Sequence, residues 1–588
     1  MRHGDSHPAD FQMRGAASYD YIAGKQPNGN QVFRGRGRDS EAEQRATLDM
    51  LERLALRLHI DGRRPSENDW IPAGYTYLGQ LLAHDLTFNP APLPKAPRDS
   101  DAIANLRSAA LDLDCIYGGG PHTSPWLYQL EGKPGTNLPR KRLRLGLTQP
   151  ASDPPRSDDD VPRNEDIPRI CSDSSDNNLP DARAYTRRNE AAETSGCPAH
   201  HGKTCFYEAL LADPRNEDTL ILAQLVVLFG KLHNTIVDRL ESGGMSPRDP
   251  SVFDIARRIT LSCYQSVIVH DFLARLLSDD VWKAYKKKSK LSAFPFFGNL
   301  AKQHARIPIP LEFSHAAFRV GHFMVQSRYS LNKSTSATVS HLLTFNGEDH
   351  LVQRSNSAIP IKNDWVIAWY RFFPDLDENL NPVGRVYNKS RKIEAAVASP
   401  LYVDSRFQPD VSHRRDERDP NRKLGGLVYR DLVRAYYLGL PNGQHLARDV
   451  FKVKELSGDD IKTQLKRFNR SLTGEDNPIG GDIDDLARDT PLLHYILIEA
   501  ELTQDGRRLG PLGSSIIAEV VFGALAAYDA PLNEAATGWV ETIFGGDGVP
   551  TTMPKLIDFV QPENAAGQPA VAPPDQVTQP RLVVGAGA

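Results

Sequence analysis

The chain has 588 residues, 40% of them hydrophobic, which is enough to bury a substantial core in one large domain or a few small ones. Its formal net charge of -4, with acids and bases mixed along the chain, makes no basic field for nucleic acid, and no apolar run stands out as long enough to cross a bilayer. Five cysteines (Cys115, Cys171, Cys197, Cys205, Cys263), few and odd in number, do not make a disulfide framework, and reduced thiols are the simpler expectation.

In chain order, residues 1–40 are rich in Gly, Arg, Asp and Asn without periodicity and read as an irregular arm. From Glu41 to Leu58 the residues Leu48, Leu51, Leu54 and Leu58 recur at helical spacing, and Pro72-Ala73-Gly74 marks a turn before the next apolar run. Residues 132–199 are polar, with many Pro, Asp, Arg and Ser, and predict a surface insertion or long loop. Thr219 to Leu240 carries Leu220, Ile221, Leu225, Val226, Leu228, Phe229 and Leu232 with hardly a polar face, the pattern of a helix buried all round. Ile255–Leu277, His494–Glu501 and Gly510–Ala527 add further apolar helical segments, and strand-like alternation is scarce. The expectation is a mainly α protein, one large helical domain over residues 41–560 followed by an unstructured tail, 561–588.

Three short segments carry candidate chemistry. Gly79-Gln80-Leu81-Leu82-Ala83-His84-Asp85-Leu86-Thr87-Phe88 places a His-Asp pair in apolar surroundings, where His84 can serve as a base, a metal ligand or simply a half-buried histidine beside a capping Asp. Asp213-Pro214-Arg215-Asn216-Glu217-Asp218 precedes the buried helix; acids are favoured there by the helix dipole, whereas Arg215 can aim donors at an anion or a polarised oxygen. In Phe318-Arg319-Val320-Gly321-His322, glycine lets the backbone or a flat ligand come close just before a histidine on an apolar helix.

Together and in this order, the three segments resemble the distal-histidine, catalytic-arginine and proximal-histidine motifs of the animal haem peroxidases of the peroxidase-cyclooxygenase superfamily. Arg107-Ser108-Ala109-Ala110-Leu111-Asp112-Leu113-Asp114-Cys115-Ile116-Tyr117-Gly118 is similar to the family's calcium loop, and Gly439-Leu440-Pro441-Asn442-Gly443-Gln444 to its proximal-side segment. The resemblance spans Ile71 to Phe559 and implies a helical domain holding haem b between central helices. It implies His84 as acid-base residue, Arg215 as the charge facing the separating peroxide oxygens, and Gln80 completing that polar side. His322 is implied as the iron ligand, Gln444 as acceptor for its second nitrogen where the family commonly has Asn, and Arg319 as partner of a haem propionate. Asp85, Ser108, Asp112, Asp114 and the Ala110 carbonyl are implied as calcium ligands, hard oxygen donors beside His84. Mammalian members form haem esters from an Asp and a Glu; here those positions are Ala83 and the shorter Asp218, and Thr219 follows in place of a sulfonium-forming residue. The haem is therefore expected to be non-covalent, with at most one ester.

The reaction implied is reduction of H2O2 at the expense of a small organic, halide or pseudohalide donor. A second enzymatic reading comes from Trp369-Tyr370-Arg371-Phe372-Phe373-Pro374, which resembles the radical-tyrosine segment of cyclooxygenases and fatty-acid dioxygenases, with Tyr370 as the radical residue and Phe373 where those relatives carry His. A third is a haem-binding scaffold without turnover, against which the retention of both His84 and Arg215 speaks. Cys197 to Cys205, with His200 and His201 between them, offers a loop thiol pair or a zinc site of non-standard spacing. With no apolar signal core after Met1, a cytoplasmic location is the default expectation, with non-classical export as the alternative.

Overall fold

The computed structural model describes residues 17–22, 40–60, 66–89, 104–132, 138–147, 165–173, 205–343, 365–383, 386–403, 426–467, 479–527 and 532–561. The tail beyond residue 561, most of the arm and residues 197–204 of the Cys197–Cys205 segment lie outside them; Cys205 opens a short strand, Cys205–Ala209. Among the described residues the architecture is mainly α, as the apolar periodicity predicts, with strands of two to six residues at its edges.

The first described strand, β1 (Ala17–Asp20), lies inside the arm read as irregular. It pairs antiparallel with Ala104–Asn105 and parallel with Ile309–Pro310, and its Tyr19 is buried in the core. One buried aromatic and a run of paired backbone groups suffice to anchor this piece, although its composition carries no periodic signal. Helix α1 (Glu41–Leu58) follows, burying Met50, Leu51, Leu54 and Leu58 on one face, and β2 (Glu67–Pro72) then delivers the chain to α2 (Gly74–Leu86). The start of α2 requires a glycine. A Cβ on Gly74 would stand 2.5 Å from the Phe372 carbonyl oxygen, which accepts the Gly74 N–H at 3.1 Å.

The centre is α3 (Leu220–Ser242), capped by Thr219, whose side chain accepts from Leu222 N at 3.2 Å. Among the described residues it is the one helix long and apolar enough to span a bilayer, where the sequence suggests no such run; most of it is buried in the protein. It packs against α2 and against α4 (Ser251–Val267), which runs into a π-helical turn, Ile268–Phe272, and then Leu273–Leu276. Parts of the polar stretch 132–199 contribute to this packing: Ile167 lies against Ala223 and Val227, and Lys141 is buried with Glu241 at 2.9 Å.

On the other side, α5 (Gly426–Tyr437) packs on α1, and α6 (Leu492–Gln504) on α7 (Pro511–Ala527). Glu499 of α6 accepts from Leu512 N and Gly513 N, occupying otherwise unsatisfied amides of the first turn of α7.

Candidate functional site

A cavity of about 540 Å³ opens between α2, the turn before α3 and the segment from Phe313 to Val325. Helix α2 presents Thr76, Gln80, Ala83 and His84 to it, with Thr87 just past its end, while Asp85 is not among the lining residues. All three segments singled out by sequence meet here: Gln80 and His84, Arg215 and Asp218, and Arg319 and His322 line one space.

His84 is buried, and burial together with the Arg215 charge pushes its pKa down from 6.5 to about 3, so the imidazole is neutral at ordinary pH. Its Nδ1 lies 3.0 Å from Asn216 Oδ1, while Asn216 Nδ2 donates to the Cys115 carbonyl at 2.9 Å. With the Asn216 amide oriented by Cys115, its oxygen can only accept, so the proton sits on His84 Nδ1 and the lone pair on Nε2. A base with a fixed tautomer results.

Arg215 occupies a 3-10 turn, Pro214–Glu217, whose cap is Asp213. Fully buried Asp213 accepts from Arg215 Nε at 3.0 Å, from Arg215 Nη2 at 2.7 Å and from Arg107. Against the upward push of burial, Arg215 and Arg107 hold its carboxyl well below the usual range. Arg215 Nη2 also donates to the His84 carbonyl at 3.2 Å, and the guanidinium lies 4.6 Å over the Phe88 ring.

His322 stands in a 3-10 turn, Ala317–Met324, rather than the α-helix expected from its apolar neighbours. In that geometry residues three apart eclipse, so Arg319 and His322 fall on the same side. Both face Asp431 of α5: His322 Nδ1 is 2.6 Å from Asp431 Oδ2, and Arg319 Nη1 is 3.8 Å from Oδ1. Although burial raises it, the Asp431 carboxyl is held below its usual range by His322, Arg319 and Arg434. Gln444 therefore does not fill the role assigned to it. It belongs to a turn facing α6, donates to Ala487 O at 3.1 Å and Thr490 Oγ1 at 2.7 Å, and accepts from Thr490 N at 3.1 Å, which leaves its amide committed away from His322. Arg434, one turn after Asp431 on α5, also lines the cavity, and burial with the Arg319 charge pushes its pKa down to about 10.

Tyr370 is not among the residues lining the cavity. It lies half-buried in a 3-10 turn, Trp369–Arg371, with the Arg371 guanidinium 5.4 Å over its own ring, while neighbouring Trp369 and Phe373 take the buried positions.

Behind His84, one carboxylate oxygen each from Asp85, Asp112 and Asp114 lies within 4.8 Å of the others, all buried. Ser108 Oγ donates to Asp112 Oδ2 at 3.3 Å, and Ala110 belongs to the same loop. Burial and mutual repulsion push Asp85 up, burial pushes Asp112 up, and Asp114 rises to about 7, mainly through burial. Asp85 Oδ2 has no hydrogen-bond partner, and Leu113, between two of the acids, adopts φ 52°. A non-glycine residue there stores about 1–2 kcal/mol of strain. Buried carboxylates, an orphaned oxygen and a strained loop fit a divalent cation with oxygen ligands. Arg107 joins this cluster to the cavity, with Nη1 3.3 Å from Asp114 Oδ1 and Nη2 on Asp213.

The roles of Asn216 and Asp213, both inside a segment singled out by sequence, and of Asp431 and Arg434 emerge only from the fold. Asp431 and Arg434 lie three apart on one helix face.

The family model described as animal haem peroxidase matches residues 97–363, a range that includes Arg215, Arg319 and His322. Chorion peroxidase of Drosophila melanogaster is 26% identical over 142 residues, 24% of this chain and 17% of that protein. Dual oxidase of the same organism is 27% identical over 118 residues, 20% and 7%. The matched regions are thus under a fifth of those relatives' own length. Among solved structures, peroxidase A from Dictyostelium discoideum superposes with a TM-score of 0.52 at 14% identity, covering 88% of this chain and 90% of that one. The fatty acid alpha-dioxygenase of Oryza sativa gives 0.52 at 13% identity, covering 89% and 80%. At such identities these two superpositions establish a shared fold.

Proposed function

We propose that the chain is an oxidoreductase of the animal haem peroxidase kind, the family whose model matches residues 97–363, and that it reduces hydrogen peroxide with electrons from a small phenol, halide or thiocyanate. The observation that carries this reading is the fixed tautomer of a neutral, buried His84 beside Arg215 on the wall of a cavity that also contains His322.

The residues present fit haem b. The cavity volume lies within the range of cofactor pockets, and Arg319 and Arg434 crowd positive charge at its wall, where propionates are the natural counter-charge. His322 offers Nε2 to iron, with Nδ1 held by the Asp431 carboxylate. A carboxylate makes the imidazole a more basic ligand than an amide would. Haem, held by His322 with its propionates at Arg319 and Arg434, would supply the two-electron redox chemistry between peroxide and donor.

The rest is done by the chain itself. His84 Nε2, with its lone pair free, takes a proton from peroxide and returns it to the departing oxygen; positioned transfer of this kind contributes about 10²–10⁴-fold. Arg215 holds permanent positive charge for the oxygen that gains negative charge, and Asp213 keeps its guanidinium from swinging away. Gln80 adds an amide to the same wall. Calcium fits the Asp85, Asp112 and Asp114 cluster with Ser108 and the Ala110 carbonyl; Asp85 adjoins His84 in sequence, so an ion held there would anchor the last turn of α2. Asp218 borders the cavity as the one carboxylate at the family's ester positions, which limits covalent attachment to a single bond.

Tyr370 is not among the residues lining the cavity, which favours the peroxidase reading over a dioxygenase that uses it as radical. The test is turnover by the haem-reconstituted protein. Peroxide-dependent oxidation of guaiacol or bromide supports the proposal; oxygen uptake with a fatty acid and no peroxide turnover replaces it with a dioxygenase, and haem binding without either leaves a scaffold.

A further inference from the structure

Tyr75 of α2 borders the cavity, yet its side chain is fully buried, and its hydroxyl donates to Asp271 Oδ2 at 2.7 Å. The carboxylate is a built partner. Asp271 sits in the π-helical turn Ile268–Phe272, an insertion in an otherwise continuous helix that re-aims its side chain. It also accepts from Met553 N at 2.8 Å and from Arg275 Nε at 2.9 Å. The Arg275 guanidinium lies 4.8 Å over the Tyr75 ring and 5.3 Å over Trp70, and donates to the Trp70 carbonyl at 2.8 Å. Arg275 pairs with the Asp271 carboxylate and, as a guanidinium, has no proton to give up.

A phenol that loses an electron becomes a strong acid, so oxidation is feasible where a base already holds its proton. Tyr75 has that base within hydrogen-bond distance and no solvent to use instead. Tyr77, also at the cavity, has its buried hydroxyl beside the Tyr329 phenol rather than a carboxylate, and Tyr370 is not among the residues lining the cavity.

We propose that Tyr75 is a redox-active residue of this protein: it returns one electron to the peroxide-oxidised haem while its phenolic O–H bond breaks and the proton passes to Asp271, leaving a neutral tyrosyl radical. The step balances with the haem as one-electron oxidant, Tyr75 as reductant and the Asp271 carboxylate becoming a carboxylic acid. One oxidising equivalent is thereby stored in the protein at the cavity wall, available to a donor that gives a hydrogen atom. This inference rests on the peroxidase reading.

The experiment is freeze-quench electron paramagnetic resonance of the haem-reconstituted protein after H2O2, with peroxide consumption and haem absorbance followed in parallel. Wild type is expected to give a tyrosyl signal whose line shape narrows with ring-deuterated tyrosine; Tyr75→Phe, which keeps the ring packing, is expected to reduce that signal at least tenfold with haem binding unchanged. Asp271→Asn is expected to diminish it likewise. A signal that survives Tyr75→Phe, or that disappears only in Trp70→Phe, overturns the assignment. Peroxide consumption by wild type without any tyrosyl signal overturns it while leaving the peroxidase reading intact. Failure to consume peroxide sinks that reading, and this inference with it for want of an oxidant.

Discussion

Replacing Asp213 with asparagine removes the charge that joins Arg215 to Arg107. In the folded protein Asp213 is fully buried and accepts from Arg215 N at 3.0 Å, Nε at 3.0 Å and Nη2 at 2.7 Å, with Arg107 as a fourth donor. An amide of the same shape keeps one acceptor oxygen but turns an NH2 toward guanidinium donors, leaving Arg107, itself largely buried, with Asp114 as its remaining ion pair among the described residues. Breaking one member of a buried charge network typically destabilises by about 3–5 kcal/mol. The functional effect is separate: Arg215 keeps its charge and loses its orientation, and loss of such an orienting partner lowers activity by about 10- to 100-fold. Urea unfolding followed by tryptophan fluorescence and single-turnover reaction with H2O2 measure the two effects independently. A variant within 1 kcal/mol of wild type that also reacts with peroxide at an undiminished rate would refute the role given to Asp213.

Asp431→Ala is expected to weaken haem binding by about 10- to 100-fold, read by hemin titration, because His322 loses the group holding Nδ1; an unchanged Kd contradicts that contact's importance. Gln444→Ala, by contrast, should leave hemin affinity within twofold of wild type, since its partners are Ala487 and Thr490. Chelation of calcium should lower the thermal midpoint, and calcium rebinding to the chelated protein at pH 7 should release protons, because Asp114 rises to about 7 in the absence of a cation; a calorimetric proton count of zero argues against these ligands. His494 is buried with neither ring nitrogen hydrogen-bonded and its pKa lowered from 6.5 to about 3, chiefly by burial. A histidine kept neutral in the folded state contributes its stability in full above pH 6.5 and loses it as pH falls toward 3, by up to about 5 kcal/mol. His494→Leu should therefore flatten the acid limb of the unfolding profile between these limits, and a profile identical to wild type would contradict the assignment.

The helices were legible because their signal is local: Leu220 to Gly230 is apolar nearly all round, and the cavity face of α2 carries Gln80 and His84 in an otherwise apolar run. His84, Arg215 and His322 were legible for the same reason, each sitting in a contiguous motif of five to ten residues. What escaped are partners supplied by other elements. Asp431 meets His322 across 109 residues, Asn216 meets His84 across 132, and Asp271 meets Tyr75 across 196. No spacing rule reaches that far, and Gln444 is implied only because Gly439-Leu440-Pro441-Asn442-Gly443-Gln444 resembles the family's proximal-side segment. The 3-10 geometry around His322 was hidden too, since Ala317 to Met324 has ordinary helical composition and only its packing selects the tighter turn. Tyr19 lies in an arm whose composition gave no sign of a strand.

The central claim is that His84 and Arg215 act on peroxide beside a haem ligated by His322. Stopped-flow absorbance of the haem-reconstituted protein mixed with H2O2, on wild type, His84→Ala and Arg215→Ala, tests it most directly. The account predicts a rapid change in the haem spectrum of wild type that guaiacol or bromide reverses, slowed by about 10²-fold or more in each variant. A haem-loaded wild type that does not respond to peroxide, or variants that respond as fast as wild type, would contradict it.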